Sequence, residues 1–198
     1  MPVRLGAKPL ADFSQPVDLL KDCHRRIERF LQMLLRVVEE TRGGPLEPPH
    51  REALETALNY FYAAAPRHTE DEEHSLFPRM RRSNDPAVRA ALAKLDALED
   101  DHRAAEQHHA RVDDLGRRWL AQDRLGDAET REMRRLLTEL AAAYQRHIRV
   151  EDEEVFPLAA RLLSTDELDE VGDEMKRRRK FDPGRVGSRC AERRTTER

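Results

Sequence analysis

The sequence predicts an all-α protein, an up-down-up-down bundle of four long helices followed by a short C-terminal helix. Three observations support this fold class. Ala, Leu, Glu and Arg, which are strong helix formers, are abundant among the 198 residues. The chain has only eight glycines, which leaves few sites for the turns of a β protein. Hydrophobic and charged residues each make up 38% of the chain, which is typical of helices with one narrow apolar face.

The first two helices are delimited by proline and glycine. We predict the first helix over residues 16–41, with Ser14 as its N-cap and a Gly-Gly-Pro turn behind it. The second is predicted over residues 48–82 and opens with a Pro-Pro pair. Pro66 lies inside this second helix, where it removes a backbone hydrogen bond and should kink the axis.

The remaining helices are delimited in the same way. The third is predicted over residues 86–122, after an Asp-Pro start, and the fourth over residues 127–163, after a glycine. Ser164 is followed three residues later by Glu167, which is the capping-box pattern. This pattern predicts a short C-terminal helix over residues 164–181.

The chain therefore divides into a bundle at residues 14–163, a short helix at 164–181, and a polar, basic tail at 182–198 that we expect to be disordered. The formal net charge of −3 does not indicate a nucleic-acid partner. We find neither a run of about 18 apolar residues, as a membrane span requires, nor a signal-peptide pattern. Cys23 and Cys190 lie far apart, which favours a reducing cytoplasm over a disulfide.

The two halves of the chain repeat a pattern of metal-binding residue types. A histidine followed four residues later by a glutamate occurs four times, once in each long helix. The copies in the second and fourth helices lie 79 residues apart (147 − 68), and both continue into Phe-Pro. Those in the first and third helices lie 78 residues apart (102 − 24). The four pairs are His24 and Glu28, His68 and Glu72, His102 and Glu106, and His147 and Glu151.

The spacing of these pairs has a physical meaning. Residues four apart lie on one face of a helix, so both side chains can reach one metal ion. Imidazole and carboxylate together suit iron, zinc or manganese. In an up-down-up-down bundle with short connections, the helical residues before and after each histidine place all four at nearly the same depth. The sequence therefore predicts a metal site in the bundle core.

Other residues near the pattern have two interpretations. Glu28 and Glu106 are candidate ligands, but they are equally well explained as solvated helix glutamates. Tyr144 shares a helix face with His147 and Glu151. Its hydroxyl therefore either serves the metal site from outside the ligand set or pairs with another buried group.

The other polar residues are predicted to have no role in the site. We expect His50 and His74 at the surface, and we favour positions away from the site for His108 and His109. The acidic residues that flank Glu72 and Glu151 are predicted to form a solvated face. These are Glu70, Asp71, Glu73, Asp152, Glu153 and Glu154.

The histidine motifs resemble the hemerythrin-like (HHE cation-binding) domain family over residues 14–163. The segments that carry the resemblance are CHRRIE at 23–28, HTEDEEHSLFP at 68–78, DHR at 101–103 and HIRVEDEEVFP at 147–157. The resemblance implies an up-down four-helix bundle with a non-haem di-iron centre. Two carboxylates and an oxo, hydroxo or water oxygen bridge the two irons in such a centre.

The resemblance also implies six ligands, two histidines for each iron and two glutamates shared between them. They are His24 and His68 for one iron, His102 and His147 for the other, and Glu72 and Glu151 as bridges. In the oxygen-carrying hemerythrins a further histidine stands at the position of Glu106, and the bridging acid of the fourth helix stands at the position of Asp152. A carboxylate in place of that neutral imidazole makes the centre more anionic, which favours Fe(III). Reversible oxygen carriage requires the irons to return to Fe(II), so the resemblance does not imply it here.

Three functions are consistent with such a centre. The protein is a sensor of oxygen, redox state or iron supply, an enzyme that decomposes peroxide or handles NO, or a structural or storage metal bundle. The expected ligand in the first two cases is O₂, peroxide or another small diatomic molecule. A sensor would transmit its signal through the C-terminal helix to a separate protein partner. The sequence does not decide between sensor and enzyme.

Overall fold

A computed structural model describes residues 11–180, and the helices in it follow the predicted boundaries closely. The eight α-helices are α1 (Pro16–Thr41), α2 (Pro48–Ala63), α3 (Ala65–Asp71), α4 (Phe77–Arg82), α5 (Pro86–Gln122), α6 (Asp127–Val150), α7 (Phe156–Leu162) and α8 (Thr165–Lys180). Two π-helical turns, Glu72–Leu76 and Glu151–Val155, join α3 to α4 and α6 to α7. No strand occurs among these residues. The predicted tail at 182–198 lies outside the described residues.

The second predicted helix is interrupted twice. The first break is at Ala64, because Pro66 lies in the first turn of α3, where a missing N–H needs no partner. The second interruption is the π turn that precedes α4. In place of the predicted kink, one helix ends and the next begins around Ala64, two residues before the proline.

The helix caps were predicted with mixed success. Ser14 is not the N-cap of α1, because Gln15 occupies that position and makes no side-chain capping bond. Both the N–H and the hydroxyl of Ser14 donate instead to Asp12 Oδ1, at 2.8 and 2.6 Å, in a local aspartate turn. The capping box of α8 is confirmed, since Ser164 N–H donates to Glu167 Oε2 at 2.9 Å and Glu167 N–H donates to Ser164 Oγ at 3.2 Å.

The four long segments pack as the predicted bundle. Helix α1 packs against α2 and α6, and α5 packs against the same two helices. Consecutive segments are joined by short connections and are therefore antiparallel neighbours. Among residues 11–180, no helix combines the length and the apolar character that crossing a membrane requires.

The core consists of two apolar clusters with a polar layer between them. Along α1, for example, Leu20 belongs to one cluster and Ile27 to the other, and the buried His24 lies between. The same order occurs in α5, where Leu98 and Leu115 lie on either side of His102. The histidines therefore meet in the middle of the bundle, as their predicted common depth requires.

Candidate metal centre

Four histidines and two glutamates converge in the polar layer as two adjacent groups. Within each group the potential ligand atoms all lie within 4.8 Å of one another. The groups are His24, His68, Glu72 and Glu151, and His102, His147 and Glu151. Since Glu151 belongs to both, the arrangement offers two neighbouring cation positions that share a carboxylate.

Both glutamates face the two histidine pairs. Glu151 Oε2 lies 3.0 Å from His24 Nε2 and 3.2 Å from His147 Nε2. Glu72 Oε1 lies 3.3 Å from His68 Nε2, while Glu72 Oε2 lies 3.5 Å from His102 Nε2. Each carboxylate thus spans the space between the two histidine pairs.

The hydrogen bonding of these glutamates shows that the residues fit a cation. Glu72 and Glu151 are both fully buried, with 0% of their surface exposed. None of their four carboxylate oxygens has a hydrogen-bond partner among the described residues, and neither has His24 Nε2. Buried carboxylates without hydrogen bonds are costly unless a cation compensates them. The short distances are therefore close approaches of potential ligand atoms rather than aligned hydrogen bonds.

The outward nitrogen of His24 is held by an acidic residue. His24 Nδ1 donates to Asp152 Oδ1 at 2.9 Å, and Arg25 Nη2 donates to Asp152 Oδ2 at 2.8 Å. A carboxylate on the outer nitrogen of a metal-binding histidine fixes the orientation of the ring and leaves Nε2 for the metal. Although Asp152 is next to Glu151, it has no atom in either group of ligand atoms.

Two more histidines have the same kind of partner. His102 Nδ1 lies 2.8 Å from Glu73 Oε1, and His147 Nδ1 lies 3.4 Å from Asp101 Oδ2. The Nε2 atoms of these two rings are 3.0 Å apart and face each other at the shared carboxylates. Three of the four candidate histidines therefore have a carboxylate behind them.

The predicted solvated acidic face is wrong for three of its six members. Asp71 is fully buried and bound by arginines, and Glu73 and Asp152 bind histidines. Glu70, Glu153 and Glu154 are exposed, as expected. Consecutive residues on a helix point in different directions, so one acidic run supplies candidate ligands, the partners of their outer nitrogens and solvated charges.

The π turns place the shared glutamates. Glu72 and Glu151 are the first residues of their turns and stand 79 residues apart (151 − 72), so the internal repeat extends to the backbone. In each turn the carbonyl of the glutamate accepts from the phenylalanine N–H five residues later. The prolines after Phe77 and Phe156 interrupt the regular ladder at both places. These turns were not predicted from the sequence, although the repeated Phe-Pro was an available signal.

The charges of the site are strongly coupled. Burial lowers the pKa of His24, but its hydrogen bond to Asp152 and the close carboxylates of Glu151 and Glu72 outweigh this effect and raise the pKa well above the usual histidine value. Burial likewise opposes ionisation of Glu151, yet His147 and His24 hold its pKa far below its usual range. Burial and the nearby Glu151 charge raise the pKa of Glu72. Protons therefore compensate part of this charge when no metal does.

Two further candidate ligands, His68 and His102, are neutral imidazoles. Burial lowers the pKa of His68, and the neighbouring His24 lowers it further. Burial and the adjacent His147 lower the pKa of His102. Neutral imidazole is the form that binds metal.

Tyr144 lies beside the site, and its partner is a histidine that we predicted to lie away from the site. Its hydroxyl is 3.0 Å from His109 Nε2, and its ring centre is 6.4 Å from that of His147. Burial and the neighbouring His108 lower the pKa of His109 to about 4, so its neutral ring accepts the hydroxyl proton. His109 follows His102 by seven residues, or two helical turns, and this spacing was the overlooked signal.

The remaining candidates lie outside the two groups. Glu28 is partly buried and lines a surface groove beside Arg25, whereas Glu106 is exposed. His74 is exposed as expected, and His50 Nε2 lies 3.0 Å from Glu40 Oε2. None of these side chains offers a ligand atom to either group.

Comparison with known proteins agrees with this geometry. The model of the hemerythrin HHE cation binding domain matches residues 15–159. An uncharacterised protein of Haemophilus influenzae is 26% identical over 175 residues, which cover 88% of this chain and 96% of that protein. The chain belongs to the hemerythrin HHE cation-binding family.

Proposed function

We propose that this hemerythrin-family chain holds two iron ions side by side in the bundle core and uses them to sense or transform O₂, peroxide or another small diatomic molecule. The single observation that carries the proposal is the sharing of Glu151 between two groups of ligand atoms. One cation in one group would leave the other group of buried polar atoms uncompensated.

The proposed ligand set has two histidines for each ion and two shared carboxylates. It comprises His24 and His68, His102 and His147, and Glu72 and Glu151. The distances around the two glutamates support this assignment, because each carboxylate faces both histidine pairs. Glu28 and Glu106 are left out of the set, since neither side chain reaches the groups.

Two grounds together favour iron over zinc or manganese: the types of ligand atom in the site and the family to which the chain belongs. A mixed set of imidazoles and carboxylates accommodates all three metals, and the resemblance favours a non-haem iron pair. Iron supplies reversible electron transfer and an affinity for small oxygen-containing ligands when it is bound.

The protein's own residues shield and orient the site. The ring of Phe156 stacks on His24 with centres 5.3 Å apart and planes 11° from parallel. Asp152 and Glu73 fix the outer nitrogens of His24 and His102, so that both rings present Nε2 inward. Together these contacts exclude water from one side and hold the ligands before a metal arrives.

An enzymatic role is the second candidate, and the pair of Tyr144 and His109 favours it. Burial and the charges of Glu72 and Glu151 raise the pKa of Tyr144, so its hydroxyl keeps its proton. If its single O–H turns away from His109, the protonated phenol can donate a hydrogen bond to a small oxygen-containing molecule beside the ligands. A storage bundle has no need of such a pair.

The proposal is tested by metal analysis and an optical spectrum of protein purified from iron-replete cells. We expect about two irons per chain, because the ligands suffice for two ions and are too many for one. We also expect a charge-transfer band in the near ultraviolet. A single zinc and no iron would refute the iron pair.

A further inference from the structure

Helix α8 is joined to the outer side of the metal-site segment by a polar network. Arg178 Nη1 and Arg179 Nη2 donate to the two oxygens of Asp71, at 2.8 and 2.7 Å. Arg178 Nη2 also donates to Ser75 Oγ at 2.6 Å, and the Ser75 hydroxyl donates to Glu174. The carboxylate of Asp71 is fully buried, so the two guanidinium groups compensate a charge that has no access to water.

The network continues one turn further along the same face. Arg79 donates to both oxygens of Glu174, at 3.0 and 3.1 Å, and to Glu170 Oε2 at 2.9 Å. Asp71, Ser75 and Arg79 are spaced four residues apart, so they form one outward stripe across α3, the π turn and α4. Side chains of α8 therefore bind this segment both before and after the π turn.

The segment that α8 binds contains a candidate metal ligand. Asp71 is the last residue of α3, and Glu72 is the first residue of the π turn. The side chain of Asp71 points outward to α8, whereas that of Glu72 points inward to the histidines. A shift of Asp71 therefore moves the backbone that holds Glu72.

Among the described residues, the contacts of α8 with Asp71, Ser75 and Arg79 have no counterpart in the second half of the repeat. The positions equivalent to Asp71, Ser75 and Arg79, 79 residues later, are Val150, Glu154 and Leu158. Glu154 is exposed and pairs with Lys94 of α5. The second π turn is thus held by different contacts, and α8 breaks the internal symmetry. Helix α8 also follows the residues that the family model matches, which end at 159.

The docking of α8 is close as well as charged. A Cβ atom on Gly172 would lie 1.9 Å from the carbonyl oxygen of Phe13, so α8 approaches the N-terminal turn as only glycine allows. The guanidinium of Arg179 lies 5.5 Å from the centre of the Phe13 ring. Val171 and Met175 are fully buried in the apolar cluster next to the site. The position of α8 is therefore well defined relative to Asp71.

We propose that Arg178 and Arg179 are positioning residues of the metal centre, which hold Glu72 in place through Asp71 and so couple metal binding to the docking of α8. The inference rests on the proposed function, because it assigns Glu72 a metal. Coupling between two events is reciprocal, so metal strengthens the docking of α8 as much as docking strengthens metal binding. The C-terminal helix then reports the occupancy of the site.

The first experiment measures Zn²⁺ affinity of the full chain by competition with a chelating dye. The test variant is Arg178→Gln/Arg179→Gln, and the matched control is Lys176→Gln/Arg177→Gln. The control removes the same charge from exposed positions of α8, where Arg177 donates only to a carbonyl of its own helix. We expect about tenfold weaker Zn²⁺ binding for the test variant, as for other outer partners of metal ligands, and no change for the control. Restored affinity in Arg178→Lys/Arg179→Lys would support positioning by charge.

The second experiment needs no variant and remains decisive if the double substitution prevents folding. Hydrogen exchange of the amides in residues 165–180 is measured in the wild type with and without saturating Zn²⁺. We expect Zn²⁺ to slow exchange in α8 by about tenfold, since the coupling is reciprocal. Unchanged exchange in a wild type that binds Zn²⁺ would overturn this inference alone. Failure of the wild type to bind either Zn²⁺ or iron would overturn the metal site and this inference together.

Discussion

Asp152 Oδ1 lies 2.9 Å from His24 Nδ1, although 128 residues separate the two in the sequence. The contact joins the first half of α1 to the second π turn. It leaves Nε2 of His24 facing the shared carboxylates, so the ligand is oriented before any metal binds. In the proposed centre Asp152 is thus an outer partner and not a bridge, since it has no atom in either group of ligand atoms.

We predict that Asp152→Asn weakens metal binding by roughly 10- to 100-fold without unfolding the protein. The amide removes the charge that fixes His24, while the size of the side chain is kept. Glu153→Gln is the matched control, because Glu153 is exposed and adjacent. The measurement is Zn²⁺ competition with a chelating dye. Equal losses in the two variants would contradict an orienting role for Asp152.

Removing a candidate ligand should have a larger effect. We predict that His68→Ala or His147→Ala loses bound metal and lowers the free energy of unfolding by roughly 3 kcal/mol, because buried carboxylates are left uncompensated. His50→Ala and His74→Ala should retain the metal and change stability by less than about 0.5 kcal/mol. Elemental analysis and urea unfolding check both expectations. Similar metal loss in all four variants would refute the division of the histidines.

The metal-free protein should lose stability as the pH rises above neutrality. The neighbouring carboxylates outweigh burial and raise the pKa of His24, so the stability that its proton contributes is fully present below about pH 6.5 and is lost as the pH passes the raised value. The raised pKa of Glu72, caused by burial and Glu151, acts in the same direction.

Melting curves of metal-free and metal-loaded protein near pH 6.5 and pH 8 measure this dependence. We expect a lower midpoint near pH 8 for the metal-free protein. The metal-loaded protein should decline less, because the metal replaces the protons as the compensating charge. A midpoint of the metal-free protein that rises over this interval would show that other groups determine the pH dependence.

The hydroxyl of Tyr144 provides a test of enzymatic function. We predict that Tyr144→Phe keeps the metal content of the wild type but changes the rate of peroxide turnover or the optical spectrum. The variant also leaves His109 Nε2 without its partner, which should cost about 1 kcal/mol of stability. Tyr60→Phe is the control, since that hydroxyl is directed at the carbonyl of Cys23. Unchanged metal content, spectrum and turnover would favour sensing or storage.

Much of the fold was predictable because proline and glycine delimit the helices. Helix α1 runs over the predicted residues 16–41, and α5 over the predicted 86–122. Counting residues from each end also placed the histidines at one level, and His24 and His68 indeed lie in one group. The rise per residue of an α-helix is nearly constant, so the number of residues from a helix end gives the depth of a side chain in the bundle.

The surroundings of the ligands were not predictable in the same way. Asp71 and Asp152 look like solvated acids in the sequence, but their partners come from helices more than 100 residues away. A helical pattern shows which residues share a face and not which other helix covers that face. His109 was misplaced for the same reason, since Tyr144 approaches it from α6.

The two π turns have a consequence for anyone who transfers this centre to an artificial bundle. Each turn contains one residue more than an α-helical turn. An ideal helix through the same sequence would rotate every later residue by about 100°, since α-helices advance 3.6 residues per turn. Phe77 and Phe156, both fully buried here, would then leave the core. A designer who copies the ligands onto regular helices must therefore omit one residue after the glutamate in each half. Otherwise the two phenylalanines no longer cover the site, and water reaches it from that side.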